Sequence, residues 1–411
     1  MRFYIDPGTG SMLFTILIGV IGAAFYSLRM LLIKLRMRAG GGKVDINQNR
    51  IPLVIFSDHK RYWNIFDPIC RELDARGVDV VYLTASEDDP ALNCRYPHVK
   101  AEFIGPDNRV FTRLNFLKAN LVLSTTPGLD VYQWKRSRDV KYYVHVPHAA
   151  SEITLYRMFG VDYYDAILLS GDYQIRDLRD LEALRELPAK ELLTVGLPYM
   201  DEMAKRLENA PPVPAHEPTV LLAPSWGPSA IFSVYGGKII EKLLQTGYHV
   251  IVRPHPQSFT SEKELLEKLM QAYPESDQLE WNRDNDNFEV LRRSDILISD
   301  FSGVIFDFSL IYGKPVIYTD PNFDTSLYDA WWLKEPMWTM SALRRIGEQL
   351  TQENMEDLKS LIDRCLTDTR YAEGLRSVKE ETWAYPGEGA SRVADYLIQK
   401  YEELTSKTEE N

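Results

Sequence analysis

The segment from Ile296 to Tyr318 breaks an apolar run with Ser299, Asp300, Phe301, Ser302 and Gly303, then resumes with Val304, Ile305 and Phe308. This pattern predicts a buried strand, a turn, and a helix closed by Gly313. The first amides of such a helix lack intrahelical acceptors and lie at the positive end of its dipole. Small residues let an anion reach them, and the Ser299 and Ser302 hydroxyls add donors, so the turn has the chemistry of a phosphate site. The competing reading is an ordinary N-cap by Ser299, Asp300 or Ser302. Asp300 would repel an anion unless it points into the turn.

Histidine supplies the groups that titrate near neutrality. His148 ends the strand-like run "VKYYVHVPH" and precedes small residues, a position from which an imidazole can take a hydroxyl proton. His145 lies three residues earlier, on the opposite face of an extended strand, and is expected in the core rather than in a zinc pair with His148. Arg253 and His255 close "YHVIVRPHP" on one face, and together they suit anion charge balance. Ser225 and Trp226 follow "LLAP", where they either line a nucleotide pocket or pack a cleft wall. Asp58, His59 and Arg61 follow the first strand, where they either meet an acceptor or form a solvated loop. Asp88-Asp89 and "RDNDN" lack a full ligand set, so no metal or other cofactor is expected.

These residues need elements to hold them. Strand-like runs at 51–57, 78–86, 119–128, 140–148, 164–171 and 191–198 alternate with helical patterns. The proline-rich stretch "NAPPVPAHEP" (209–218) reads as a linker. Beyond it the alternation restarts, with strands at 219–226, 248–256, 294–300 and 314–320. Such alternation predicts parallel sheets covered by helices. The expected organisation is an α/β protein with two Rossmann-like domains facing a cleft. An amino-terminal acceptor domain spans 44–208, a donor domain 219–375, and a helical segment 376–411. Ligands in such sheets bind at the carboxyl ends of the strands.

Net charge is −12, which excludes nucleic acid as a main partner because phosphate backbones require a basic surface. Three dispersed cysteines give no disulfide framework. Residues 11–28 carry no charge and as a helix would span about 27 Å, near the thickness of a bilayer's hydrocarbon core. Arg29, Lys34, Arg36, Arg38 and Lys43 follow this segment. The positive-inside rule therefore predicts a single-pass anchor in the cytoplasmic (inner) membrane, within a 1–43 region, with the rest of the chain in the cytoplasm.

A signature and six further segments, in order, resemble the CDP-glycerol glycerophosphotransferases, the teichoic-acid polymerase and primase group. "SDFSGVIFDF" is similar to the S/T-D-Y/F-S-S/G-V-x-F-D-Y signature of that family. "VHVPHAASE", "VGLPYMDEM", "VLLAPSWG", "VIVRPHP" and "PGEGASRVADYLI" resemble its other segments, and "YDAILLSGDYQ" is similar to a further one, over roughly 140–400. The chain departs from the family pattern in three places. His-Gly is His148-Ala149, G-x-P-R ends in Tyr199, and the second serine of the S-S pair is Gly303. The resemblance implies a GT-B architecture without a bound metal and a CDP-glycerol or similar CDP-polyol donor. It also implies a lipid-linked or glycan acceptor at the membrane, with release of CMP. It makes His148 the base and Asp320 a donor contact. A nucleotide-sugar transferase of the same architecture is the alternative, and a catalytically idle binding module is a third.

Overall fold

The computed structural model describes residues 50–106, 108–284, 286–319 and 324–409. The expected anchor and Asp320 lie outside the described residues. Among those residues no helix is long and apolar enough to cross a membrane.

From Ile51 onward the chain builds two parallel sheets. The first holds β1 (Ile51–Ser57), β2 (Val80–Thr84), β3 (Val99–Phe103), β4 (Ala119–Ser124), β5 (Val140–His145), β6 (Ala166–Leu169) and β7 (Glu191–Thr194), in the order β3-β2-β1-β4-β5-β6-β7. The second holds β8 (Thr219–Leu222), β9 (His249–Val252), β10 (Leu279–Trp281), β11 (Ile296–Ser299), β12 (Val316–Thr319) and β13 (Gly347–Leu350), in the order β10-β9-β8-β11-β12-β13. The central strands are buried on both faces: every residue of β4, β8, β11 and β12 is buried. Continuous apolar runs such as "ANLVL" and "TVLL" meet that demand, whereas an alternating pattern would not.

Both sheets reverse their winding between two adjacent central strands, β1 and β4 in the first and β8 and β11 in the second. At such a switch point the loops leaving the two strands diverge and open a crevice at their carboxyl ends. The loops at 58–62 and 125–128 flank the first crevice, and those at 223–231 and 300–303 flank the second.

The chain's last helices return to the first sheet. Asp201 accepts hydrogen bonds from Trp383 Nε1 (2.7 Å) and from the amides of Gly387 (2.7 Å) and Gly389 (3.0 Å). Lys400 pairs with Glu191 at 2.7 Å. The returning backbone passes so close to Gly171 and Gly196 that a Cβ there would lie 1.9 Å from the Glu381 carbonyl oxygen and 2.2 Å from that of Ala384. Gly196 also has φ +90°, which a larger residue resists.

Candidate active site

His148 leaves the end of β5 and lies at the cleft with its ring between two tyrosines. Tyr156 stacks on it at 5.5 Å between centroids, and Tyr62 lies at 5.2 Å, tilted. Its Nδ1 is 3.3 Å from Thr125 Oγ1 and 3.2 Å from Tyr156 Oη. No hydrogen bond engages Nε2 among the described residues. Burial and, next, the Arg61 guanidinium push the imidazole down to about 4, while a Thr125 main-chain hydrogen bond works the other way. The ring is therefore neutral at physiological pH, as a proton acceptor must be. A bound polyanion would offset Arg61 and raise its basicity.

Arg61 also joins the two halves of the site. Its charge depresses His255 of the second sheet, which burial, then Arg61, then Arg253 hold at about 4. His255 Nδ1 accepts the Gln257 amide at 3.1 Å. In the neutral ring the proton must then sit on Nε2, so His255 is a fixed N–H donor. Arg61 lies over the Tyr62 ring at 4.9 Å. Asp58 is accessible from the cleft, yet protein surrounds it on most sides, and that desolvation raises its carboxyl against the opposing pull of Thr126 and Arg61. His59 is exposed, and its Nδ1 accepts the Arg61 amide at 3.1 Å as a helix cap.

The turn after β11 divides its labour differently from the expectation. Ser299 is buried and donates its hydroxyl to the Ala223 carbonyl at 2.6 Å, so that hydroxyl is not available to an anion. Asp300 is also fully buried. Its carboxylate accepts the amides of Ser225 (2.9 and 3.1 Å), Ile231 (3.2 Å) and Phe301 (2.8 Å). It thus ties the loop after β11 to the loop after β8 and turns its charge away from the cleft. Burial pushes this carboxyl up to about 6, against those amides. Ser225 contributes its amide to this clamp, and Trp226 stands 40% exposed beside it. The Ser302 hydroxyl and the Gly303 amide make no hydrogen bond among the described residues, and they remain the turn's free donors.

Arg253 was expected to balance an anion's charge together with His255. The guanidinium instead hydrogen-bonds Asn282. The strand ends at Val252, so the two-residue alternation that put Arg253 and His255 on one face does not extend to them. The helix after Gly303 starts at Val304 and widens to a π turn over Asp307–Ile311. Asp307 accepts the Tyr199 hydroxyl at 2.7 Å, joining the helix Pro198–Asn209 to the signature helix.

His145 is buried as expected, but it does not face away from His148. Because β5 ends at His145, the chain turns, and both rings reach the same hydroxyl: His145 Nε2 lies 3.3 Å from Tyr156 Oη. Tyr156 and Thr125 were missing from the sequence-derived site residues. Their signal was weak, since aromatic and hydroxyl residues near strand ends are common. Among the described residues no group of three or more His, Cys, Asp or Glu could hold a metal ion. Asp89 instead accepts the Thr84 hydroxyl at 2.6 Å.

The family model described as CDP-glycerol:poly(glycerophosphate) glycerophosphotransferase matches residues 176–399. No curated protein matches. Among solved structures, the wall teichoic acid polymerase TagF shares 15% identity at a TM-score of 0.53, over 87% of this chain and 91% of that one. The Staphylococcus aureus MnaA–UDP co-structure shares 11% at 0.58, over 86% and 97%. The Methanocaldococcus jannaschii UDP-GlcNAc 2-epimerase shares 12% at 0.54, over 84% and 99%. At these identities the structural likeness establishes the shared two-domain fold.

Proposed function

The chain belongs to the CDP-glycerol:poly(glycerophosphate) glycerophosphotransferase family, and on that premise we propose that it moves glycerol phosphate, or a related polyol phosphate, from a CDP-activated donor to a hydroxyl of a lipid-linked or cell-envelope glycan acceptor. CMP is the leaving group. Residues 11–33, outside the described residues, tether it to the inner membrane in this reading, with the catalytic part in the cytoplasm.

The acceptor oxygen attacks the phosphorus that carries the glycerol, and the bond from that phosphorus to the bridging oxygen breaks as CMP departs with the electron pair. His148 Nε2 takes the hydroxyl proton. The His255 Nε2–H, Arg61, the Ser302 hydroxyl and the Gly303 amide supply the donors and positive charge that stabilise the pyrophosphate and its developing charge. The observation that carries this reading is the placement of a neutral imidazole and a fixed N–H donor around one guanidinium, the first in the loop after β5 of one sheet and the second in the loop after β9 of the other.

The test is CMP release from CDP-glycerol by purified protein with a membrane extract. Replacing His148 with alanine removes the proton acceptor and should slow transfer by about 10²–10⁴-fold while thermal unfolding is unchanged. Near-normal turnover of a folded His148→Ala protein would move the base elsewhere.

A further inference from the structure

Behind His148 lies an arrangement that the transfer step alone does not use. Tyr156 Oη sits between His148 Nδ1 at 3.2 Å and His145 Nε2 at 3.3 Å. The Tyr156 ring stacks on His148 and meets His145 edge-on, 5.4 Å between centroids at 88°. Its backbone carbonyl accepts the Asp329 amide at 3.0 Å. Asp329 in turn pairs with Arg185, both side chains buried, at 2.5 Å. The tyrosine is therefore held at both ends. His145 Nδ1 is buried and has no hydrogen-bond partner among the described residues.

A hydroxyl has one proton, so Tyr156 can donate to only one of the two imidazoles and accepts from the other. The direction of that proton decides which nitrogen of neutral His148 keeps its lone pair. If Tyr156 donates to His148, the proton of His148 sits on Nε2 and the ring cannot act as a base from that atom. If Tyr156 donates to His145, His148 carries its proton on Nδ1, between Tyr156 Oη and Thr125 Oγ1, and Nε2 is free. His145 Nδ1 is left without a partner in both directions, as a lone pair in the first and as an N–H in the second, so what separates them is the state of His148 Nε2. A buried unpaired polar group calls for an explanation, and a catalytic constraint is one.

We propose that Tyr156 and His145 are positioning residues that hold His148 in its Nδ1–H tautomer, so that Nε2 meets the acceptor hydroxyl as a lone pair. Neither residue touches the substrate. The inference rests on His148 being the base, and its test separates the two ideas. Histidine nitrogen NMR on the full-length protein without substrate reads the His148 tautomer directly and should report Nδ1–H. Tyr156→Phe keeps the ring stack and removes the hydroxyl. It should mix the tautomers and lower kcat about five- to tenfold, the effect of one neutral hydrogen bond, with the donor KM unchanged. His145→Phe should turn the Tyr156 proton toward His148, convert it to Nε2–H and lower kcat as well. If Tyr156→Phe fails to fold, the wild-type tautomer and His145→Phe still decide. An Nε2–H tautomer in the wild type, or unchanged tautomer and kcat in the folded variants, overturns the proposal. If the wild type is Nδ1–H, the variants are unaffected and His148→Ala is inactive, the base assignment survives without the two positioning residues; an Nε2–H wild type removes Nε2 as the proton acceptor as well. If His148→Ala retains activity, the base assignment falls whatever the tautomer.

Discussion

Ala149 and Gly303 meet across the two halves of the site: a Cβ placed on Gly303 would lie 3.3 Å from the Ala149 Cβ. The loop that carries His148 and the signature turn thus approach to van der Waals contact, and the side chains at these two positions set the gap. The family pattern that the chain resembles has glycine after the histidine and serine or glycine at the turn position held here by Gly303. Relative to the serine form, this chain carries the methyl group on the other side of the same contact.

The exchange predicts coupling between the two positions. Gly303→Ser should crowd Ala149 and lower turnover, and Ala149→Gly should open the contact. The double variant should recover activity beyond the sum of the single effects. Turnover of the four proteins, with unfolding followed in parallel, measures the interaction, and additive effects would show that the two loops do not constrain each other.

Asp300 should behave as a clamp rather than as a ligand. In Asp300→Asn the amide nitrogen would face a backbone N–H where an oxygen now accepts one. Losing such a buried partner costs about 1–3 kcal/mol. Thermal unfolding should report that loss, and calorimetry should show weaker CDP-glycerol binding as the 223–231 loop loosens. Unchanged stability would mean that the carboxylate's amide bonds contribute nothing to holding the two loops.

The pH dependence should respond to Arg61. Transfer requires neutral His148, so kcat/KM falls as pH drops through its titration, near 4 in the free protein. Burial and then Arg61 hold it that low, and removing a cation favours protonation. Arg61→Gln should therefore move the acidic limb of kcat/KM to higher pH, whatever it does to the maximum rate. A limb that stays in place would remove Arg61 from the surroundings of His148.

Much of the fold was legible because the central strands are buried on both faces and read as unbroken apolar runs. The three strands that the sequence did not reveal, β3 "VKAEF", β10 "LEW" and β13 "GEQL", are edge strands. An edge strand is half solvated and admits Lys, Glu and Gln, so its pattern resembles a loop. The site was legible as a set of strand-end residues, and the side-chain assignments were not. Ser299 and Asp300 look like anion donors or caps in sequence. Only the position of the Ala223 carbonyl and the Ser225 amide, some 75 residues away in sequence, shows which groups they serve. The same holds for "VGLPYMDEM" and "PGEGAS": Asp201 of the first binds the backbone of the second, a structural task that motif order alone does not disclose.

The central claim is phosphotransfer from a CDP-linked donor, and a donor panel tests it most directly. Purified protein, membrane extract and, in turn, CDP-glycerol, CDP-ribitol and UDP-sugars are incubated, and the nucleotide released and the mass added to the acceptor are measured together. The account predicts CMP from a CDP-polyol, matched by addition of one polyol phosphate unit per CMP, and no product from UDP-sugars. Release of UDP with addition of a sugar, and none of CMP, would contradict it.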